Sequence, residues 1–286
     1  MISNLEDLLA PLTVGEFRQA LRERAFFFRR GEGVNRFANL LDWATLRHIV
    51  ENGIFPAADV RIMRASKLLS ALVYLDGKKV NAEKLAALMR NGASLITQPI
   101  NAYVPALHAL CENIRGQVAD YVWAGAVAQT GSGGALTIHY DAEDLIILQL
   151  EGTKRWQIYS PTVVYPVAGA KPLGLPSQNL VLDEVLAPGD LMFLPAGFWH
   201  VCENGPDLSL HGVLFFRAST ALLAANSLFD TLKADEAFRK PLTRFATAQE
   251  RAAHESTLKA RLIEQIEKTS FDELLAGFVP NKSYDA

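Results

Sequence analysis

The sequence predicts an α+β chain, mainly β, in which a barrel or sandwich of short strands is preceded and followed by helices. Three observations carry this. From Val118 to Phe216, short apolar runs alternate with Gly and Pro clusters, the pattern of many strands joined by turns. Before Val118, capping residues stand ahead of segments with helical apolar spacing. After Phe216 the strand signals stop and helical spacing returns.

The elements follow in order. Thr13-Val14-Gly15-Glu16 has the capping-box pattern and opens a helix through Phe17 to Leu21. Ala25 to Arg30 reads as a strand. Asp42 or Thr45 opens a helix through His48 and Ile49, which Asn52-Gly53 stops. Val60 to Arg64 alternates as a strand does. Asn81 caps a helix from Ala82 to Met89, and Asn91-Gly92 ends it. Ser94 to Thr97 is a short strand, and a helix to Ile114 starts near Pro105. Gly131-Ser132-Gly133-Gly134 reads as a connecting loop. Leu145 to Leu150 is an apolar run suited to a buried strand, Glu151-Gly152 a turn, and Lys154 to Tyr159 the returning strand, ended by Pro161. Val163 to Gln178, rich in Pro and Gly, reads as a surface loop. Leu191 to Leu194 and Phe198 to Cys202 are strands around the turn Pro195-Ala196-Gly197. Thr220 to Lys233, Ala234 to Lys240 and Thr247 to Ile266 read as helices. The last carries Leu258, Leu262, Ile263 and Ile266 at helical spacing, a stripe for packing on another helix.

A chain of 286 residues holds one large domain or one and a half. Half of it is hydrophobic and 21% is charged, ordinary values for a globular protein with a sizeable core. The net charge of −3 gives no electrostatic reason to expect direct nucleic-acid binding. Cys111 and Cys202 are the two cysteines and form no Cys-x-x-Cys motif, so neither a zinc knuckle nor a redox pair is implied. The first residues lack the basic and apolar regions of a signal peptide, and no apolar run is long enough to span a bilayer. The expectation is a cytoplasmic protein with no membrane partner.

One constellation carries chemistry. His139-Tyr140-Asp141 is followed by His200 within Leu194-Pro195-Ala196-Gly197-Phe198-Trp199-His200. On an extended strand, residues two apart share a face, so His139 and Asp141 converge on one point. His200 must arrive from a second strand. Two imidazoles and one carboxylate are the ligand set that leaves three positions open on a non-haem Fe(II) centre. Zinc prefers four-coordination with more nitrogen or sulfur. The plain alternative is three polar residues satisfied by hydrogen bonds, since six histidines give such a triplet often by chance. Lys154 weighs against it. A hairpin returns this lysine beside the metal strand into apolar surroundings, where its charge needs an anionic partner. A dicarboxylate cosubstrate supplies one. Alternation places Trp156 on the Lys154 face, as a pocket wall or plain core, and sends Arg155 outward. Trp199 should point away from the metal.

The stretch from Thr137 to Pro161, with Ala187 to His200, resembles the JmjC/cupin-type 2-oxoglutarate oxygenases, and within them the ribosomal-oxygenase branch. The match runs through His139-Tyr140-Asp141, the apolar strand into Gln149-Leu150-Glu151-Gly152, Lys154-Arg155-Trp156, His200 and Ser209-Leu210-His211. It is strong over residues 120–216; Phe26 to Arg30 resemble the family's entry strand. The resemblance implies a double-stranded β-helix (jelly-roll, cupin) core with N-terminal helices and a C-terminal helical segment. It divides the chain into an oxygenase domain, 1–216 (helical entry 1–117, barrel core 118–216), and a dimerisation segment, 217–286, so a homodimer is expected.

For the site, the resemblance implies Fe(II) held by His139, Asp141 and His200, with dioxygen and 2-oxoglutarate as cosubstrates. Lys154 would grip the far carboxylate of 2-oxoglutarate. The family places a tyrosine near that carboxylate where this chain has Val127. Thr137, two residues before His139 and so on its face, is the substitute contact. His211 is a candidate lining residue, although a packing or supporting role weighs more. The implied activity is hydroxylation of a C–H bond on a protein or peptide side chain, Arg or His of a ribosomal protein. A hydroxylase of a free amino acid or small metabolite, and a non-catalytic metal-binding cupin module, are the alternatives.

Overall fold

The structure is a computed structural model that describes residues 1–31, 33–132, 136–167, 174–270 and 272–273. Gly133 and Gly134 of the expected connector, and residues 168–173 of the expected surface loop, lie outside the described residues. The chain divides into two units, Met1–Arg217 and Ala218–Ala286.

The first unit opens with α1 (Leu5–Leu9) and α2 (Val14–Glu23). The Thr13–Glu16 capping box is present in both directions. There follow β1 (Phe27–Arg29), α3 (Trp43–Glu51, capped by Asp42), β2 (Val60–Arg64), β3 (Lys67–Leu68), β4 (Leu75–Asp76) and β5 (Lys79–Val80). Then come α4 (Ala82–Arg90, capped by Asn81), β6 (Ser94–Thr97) and α5 (Pro105–Ile114). The remaining strands are β7 (Tyr121–Gln129), β8 (Asp144–Glu151), β9 (Lys154–Tyr159), β10 (Leu180–Leu186), β11 (Leu191–Leu194), β12 (Trp199–Asn204) and β13 (Ser209–Arg217).

Eight strands form one antiparallel sheet in the order β1-β11-β8-β13-β7-β6-β2-β3. A second sheet has the order β10-β9-β12. Alternation along β8 separates two cores. Leu145 and Ile147 join Trp156, Ile158, Leu186, Met192, Leu194, Phe198 and Val213 between the sheets. Ile146, Leu148 and Leu150 face the opposite way, into the core that also holds Leu5, Phe17, Leu46, Leu110 and Phe193. Burial on both faces explains why this strand reads as an unbroken apolar run. Each fully buried Leu or Ile contributes about 1.5–3 kcal/mol. This is the jelly-roll architecture.

The segment carrying His139 and Asp141 differs from the expectation. It is no strand: His139 makes a single isolated bridge to His200, and β8 begins only at Asp144. Thr137 donates its N–H to the Ser66 side chain, so that part of the segment has no ladder partner. β10, Leu-Val-Leu-Asp-Glu-Val-Leu directly after the Pro- and Gly-rich loop, was not among the expected strands.

The second unit contains α6 (Ala221–Thr231), α7 (Glu236–Arg239) and α8 (Ala248–Lys268), the last opened by a Thr247–Glu250 capping box. No residue of α8 is buried, and Ile263 and Ile266 of its apolar stripe are exposed. Among the described residues, no helix is long and apolar enough to cross a membrane.

Candidate metal and anion site

His139, Asp141 and His200 come together: one ligand atom from each lies within 4.8 Å of the others. Backbone bonds hold them in place. His139 N donates to His200 O at 3.1 Å, and His200 N donates to His139 O at 2.7 Å. Gly197 N donates to the Asp141 carbonyl at 2.9 Å, tying the segment to the turn before β12. The two imidazole rings are 4.3 Å apart between centroids.

Tautomers follow from the acceptors. His139 Nδ1 lies 2.8 Å from Thr137 O, and His200 Nδ1 lies 3.1 Å from Phe198 O. A carbonyl accepts only, so each Nδ1 carries a hydrogen, and Nε2 is the nitrogen each ring can offer a metal. His200 Nε2 stands 3.4 Å from Asp141 Oδ2. Burial, with His139 beside it, pushes the His200 imidazole down to about 3, against the opposing bond to the Phe198 carbonyl. It is therefore neutral at physiological pH, as a ligand must be. Burial raises the Asp141 carboxyl, and His139 opposes that rise.

The anion end of the pocket starts at Gly152. Its φ of +61° turns β8 into β9, and a Cβ there would meet Leu208 O at 1.8 Å. Lys154, the first residue of β9, is only 2% exposed. Its Nζ donates to Gln129 Oε1 at 3.4 Å, a neutral acceptor that also takes Ser94 Oγ at 3.0 Å. No carboxylate among the described residues pairs with this ammonium. Further buried polar atoms there lack hydrogen-bond partners: Trp156 Nε1, His211 Nδ1, Gln149 Oε1 and Asn204 Oδ1.

Register gathers these groups. Asn204 is opposite Lys154, and His211 is opposite both Gln149 and Val127. The Trp156 ring lies 5.3 Å from His211 and 6.0 Å from His200, linking the anion end to the metal cluster. Burial, then the charge of Lys154, then His200 hold His211 well below its ordinary pKa, so it too is neutral. Leaving such groups buried and unpaired is costly unless a ligand satisfies them. An ammonium, an indole N–H and an imidazole suit a carboxylate.

Other residues fall as alternation requires. Arg155 faces outward and pairs with Asp183 at 2.7 Å. Trp199 turns from the cluster, donating Nε1 to Thr162 Oγ1 at 2.8 Å. Thr137 is not brought to Lys154. It is exposed, and its hydroxyl accepts from Ser66 Oγ at 2.8 Å. Sequence reasoning assigned no site role to Gln129, Gln149, Asn204 or Ser66, although Gln149 stands in the matching motif. Period-two counting along β7, β8 and β12 places the first three inside the barrel. No sequence signal points to Ser66.

Fold and site together define a cupin-type barrel with a two-histidine, one-carboxylate cluster. A JmjC domain matches residues 103–222, the stretch that carries the cluster and the Lys154 hairpin. Ribosomal oxygenase 2 of Mus musculus is 26% identical over 257 residues, covering 85% of this chain and 54% of the relative. The bifunctional lysine-specific demethylase and histidyl-hydroxylase NO66 of Drosophila persimilis is 26% identical over 210 residues, covering 72% of this chain and 30% of the relative. The chain thus spans about half the length of the mouse relative and less of the fly one. The structure of YcfD, a ribosomal oxygenase from Escherichia coli in complex with cobalt and 2-oxoglutarate, shares the fold. Its TM-score is 0.59 at 17% identity, covering 90% of this chain and 68% of that one.

Proposed function

We propose that this chain is an Fe(II)- and 2-oxoglutarate-dependent oxygenase that hydroxylates a C–H bond on a protein side chain. The observation that carries the reading is a buried lysine with no carboxylate partner among the described residues, set in the same barrel as three convergent metal-ligand side chains.

His139 Nε2, the Asp141 carboxylate and His200 Nε2 would hold the metal. Fe(II) with 2-oxoglutarate supplies the activation of dioxygen: one oxygen atom enters the substrate C–H bond, and the cosubstrate leaves as succinate and carbon dioxide. The protein's own task is positioning. Lys154 binds the far carboxylate of the cosubstrate, and the charge-assisted bond sets its register. Neutral His211 and the Trp156 indole add N–H donors at that end, in the place assigned from sequence to Thr137. The apolar wall of Ile147, Ile158, Met192 and Val213 excludes water from the contact.

A protein substrate is supported by the relatives named as ribosomal oxygenase and histidyl-hydroxylase. Arg or His of a ribosomal protein is the target we favour. Ile263 and Ile266, exposed on α8, support self-association, and a homodimer is the working form we favour. The test is incubation with Fe(II), 2-oxoglutarate, dioxygen and extracted ribosomal proteins, followed by succinate measurement and peptide mass spectrometry. The reading expects succinate and a gain of one oxygen atom on a substrate residue, both lost in Lys154→Ala. No succinate with any protein or peptide panel ends it.

A further inference from the structure

The β2–β3 hairpin closes with two residues, Ala65 and Ser66, between the paired Arg64 and Lys67. Both have left-handed backbones, with φ of +48° and +59°. Such a turn favours Asn-Gly, because side chains other than glycine's crowd the backbone there. Neither residue is glycine or asparagine. Strain kept at a hairpin tip asks what the tip does.

The Ser66 hydroxyl reaches a segment 71 residues away in sequence and bonds it twice. Ser66 Oγ donates to Thr137 Oγ1 at 2.8 Å and accepts from Thr137 N at 2.5 Å. The carbonyl of the same threonine accepts the Nδ1–H of His139 at 2.8 Å. Thr137 therefore uses one side of its backbone for the hairpin tip and the other for the imidazole. Segment 137–141 has no strand ladder; among the described residues its backbone bonds to Ser66, to His200 and to Gly197. The last two hold the backbone of His139 and Asp141. Of these three, the bond to Ser66 is the one made by Thr137, whose carbonyl orients the His139 ring.

We propose that Ser66 is a positioning residue for the metal site: through Thr137 it fixes the tautomer and ring angle of His139. The inference rests on the metal reading of the cluster. Partners that orient a ligating imidazole typically change metal affinity 10- to 100-fold.

The test titrates Co(II) into the metal-free full chain, reading affinity by calorimetry, ligand-field absorption and the thermal midpoint. Ser66→Gly relieves the turn and removes the hydroxyl. Ser66→Asn tolerates the left-handed backbone and keeps a polar arm. The expected result for Ser66→Gly is a Co(II) Kd raised about tenfold and an altered absorption band, with a thermal midpoint no lower than that of the parent. Ser66→Asn should recover most of the affinity. Parent-like Co(II) binding by Ser66→Gly overturns the proposal. So does Ser66→Asn binding as weakly as Ser66→Gly, which also decides the matter if the glycine variant loses thermal stability. A parent protein that binds no Co(II) overturns the metal reading itself, a result separable from both.

Discussion

His139 and His200, far apart in the chain, exchange both of their backbone hydrogen bonds, at 3.1 and 2.7 Å. This one bridge brings His200 from a second strand to the His139 segment, as expected, although that segment is itself no strand. Because the bridge is made of backbone, it survives side-chain truncation. His139→Ala, Asp141→Ala and His200→Ala should each abolish divalent-metal binding and turnover while leaving far-UV circular dichroism unchanged. Calorimetric titration of Co(II) checks the first point. Retained binding in any of the three would remove that residue from the ligand set.

Lys154 sets function against stability. Replacing it with Met removes a buried ammonium that lacks a carboxylate partner, so the metal-free protein should gain about 1–3 kcal/mol in urea unfolding. The same change removes a charge-assisted hydrogen bond to the cosubstrate. The Kd for 2-oxoglutarate should rise about 10- to 100-fold, with Co(II) affinity nearly unchanged. A variant less stable than the parent would mean that the ammonium has a stabilising partner.

The acid limb of stability should report two buried imidazoles. Both His200 and His211 have depressed pKa values in the folded chain, His200 down to about 3. In the unfolded chain each takes a proton near pH 6.5. Unfolded molecules then bind more protons than folded ones below that value, so stability of the metal-free protein falls from about pH 6.5 toward pH 3. Neither histidine costs stability above pH 7.5. His211→Gln should flatten this limb, as urea unfolding across pH would show. An unchanged slope would place the His211 pKa near its ordinary value.

Gly152 is held by geometry at both levels. Its φ is +61°, and a Cβ would meet the Leu208 carbonyl. Gly152→Ala should cost more than about 1 kcal/mol, since both strain and overpacking act. It should also weaken 2-oxoglutarate binding, because the turn carries Lys154. A variant with parent-like stability and affinity would show that the β8–β9 turn can shift without moving the lysine.

The site was legible where it depends on residue type and strict alternation. His139, Asp141, His200 and Lys154 could be named from spacing, and β9 places Arg155 outward and Trp156 inward as period two requires. It was not legible where tertiary contacts decide. The metal segment reads as a strand, but Thr137 spends its N–H on Ser66. The tip of a distant hairpin leaves no periodic trace. β7, Tyr-Val-Trp-Ala-Gly-Ala-Val-Ala-Gln, is weak strand text because Ala and Gly are poor strand formers; pairing with β6 and β13 makes it one. The apolar stripe on α8 was legible, yet among the described residues Leu258 and Leu262 are only half-buried and Ile263 and Ile266 are exposed.

The central claim is that one metal and one dicarboxylate share this barrel. Crystals grown with Mn(II) and 2-oxoglutarate test it directly through the anomalous signal of the metal. The account predicts a single peak bounded by His139 Nε2, the Asp141 carboxylate and His200 Nε2, with the far carboxylate of the cosubstrate on Lys154 Nζ. Metal bound elsewhere, or a cosubstrate whose far carboxylate lies away from Lys154, would contradict it.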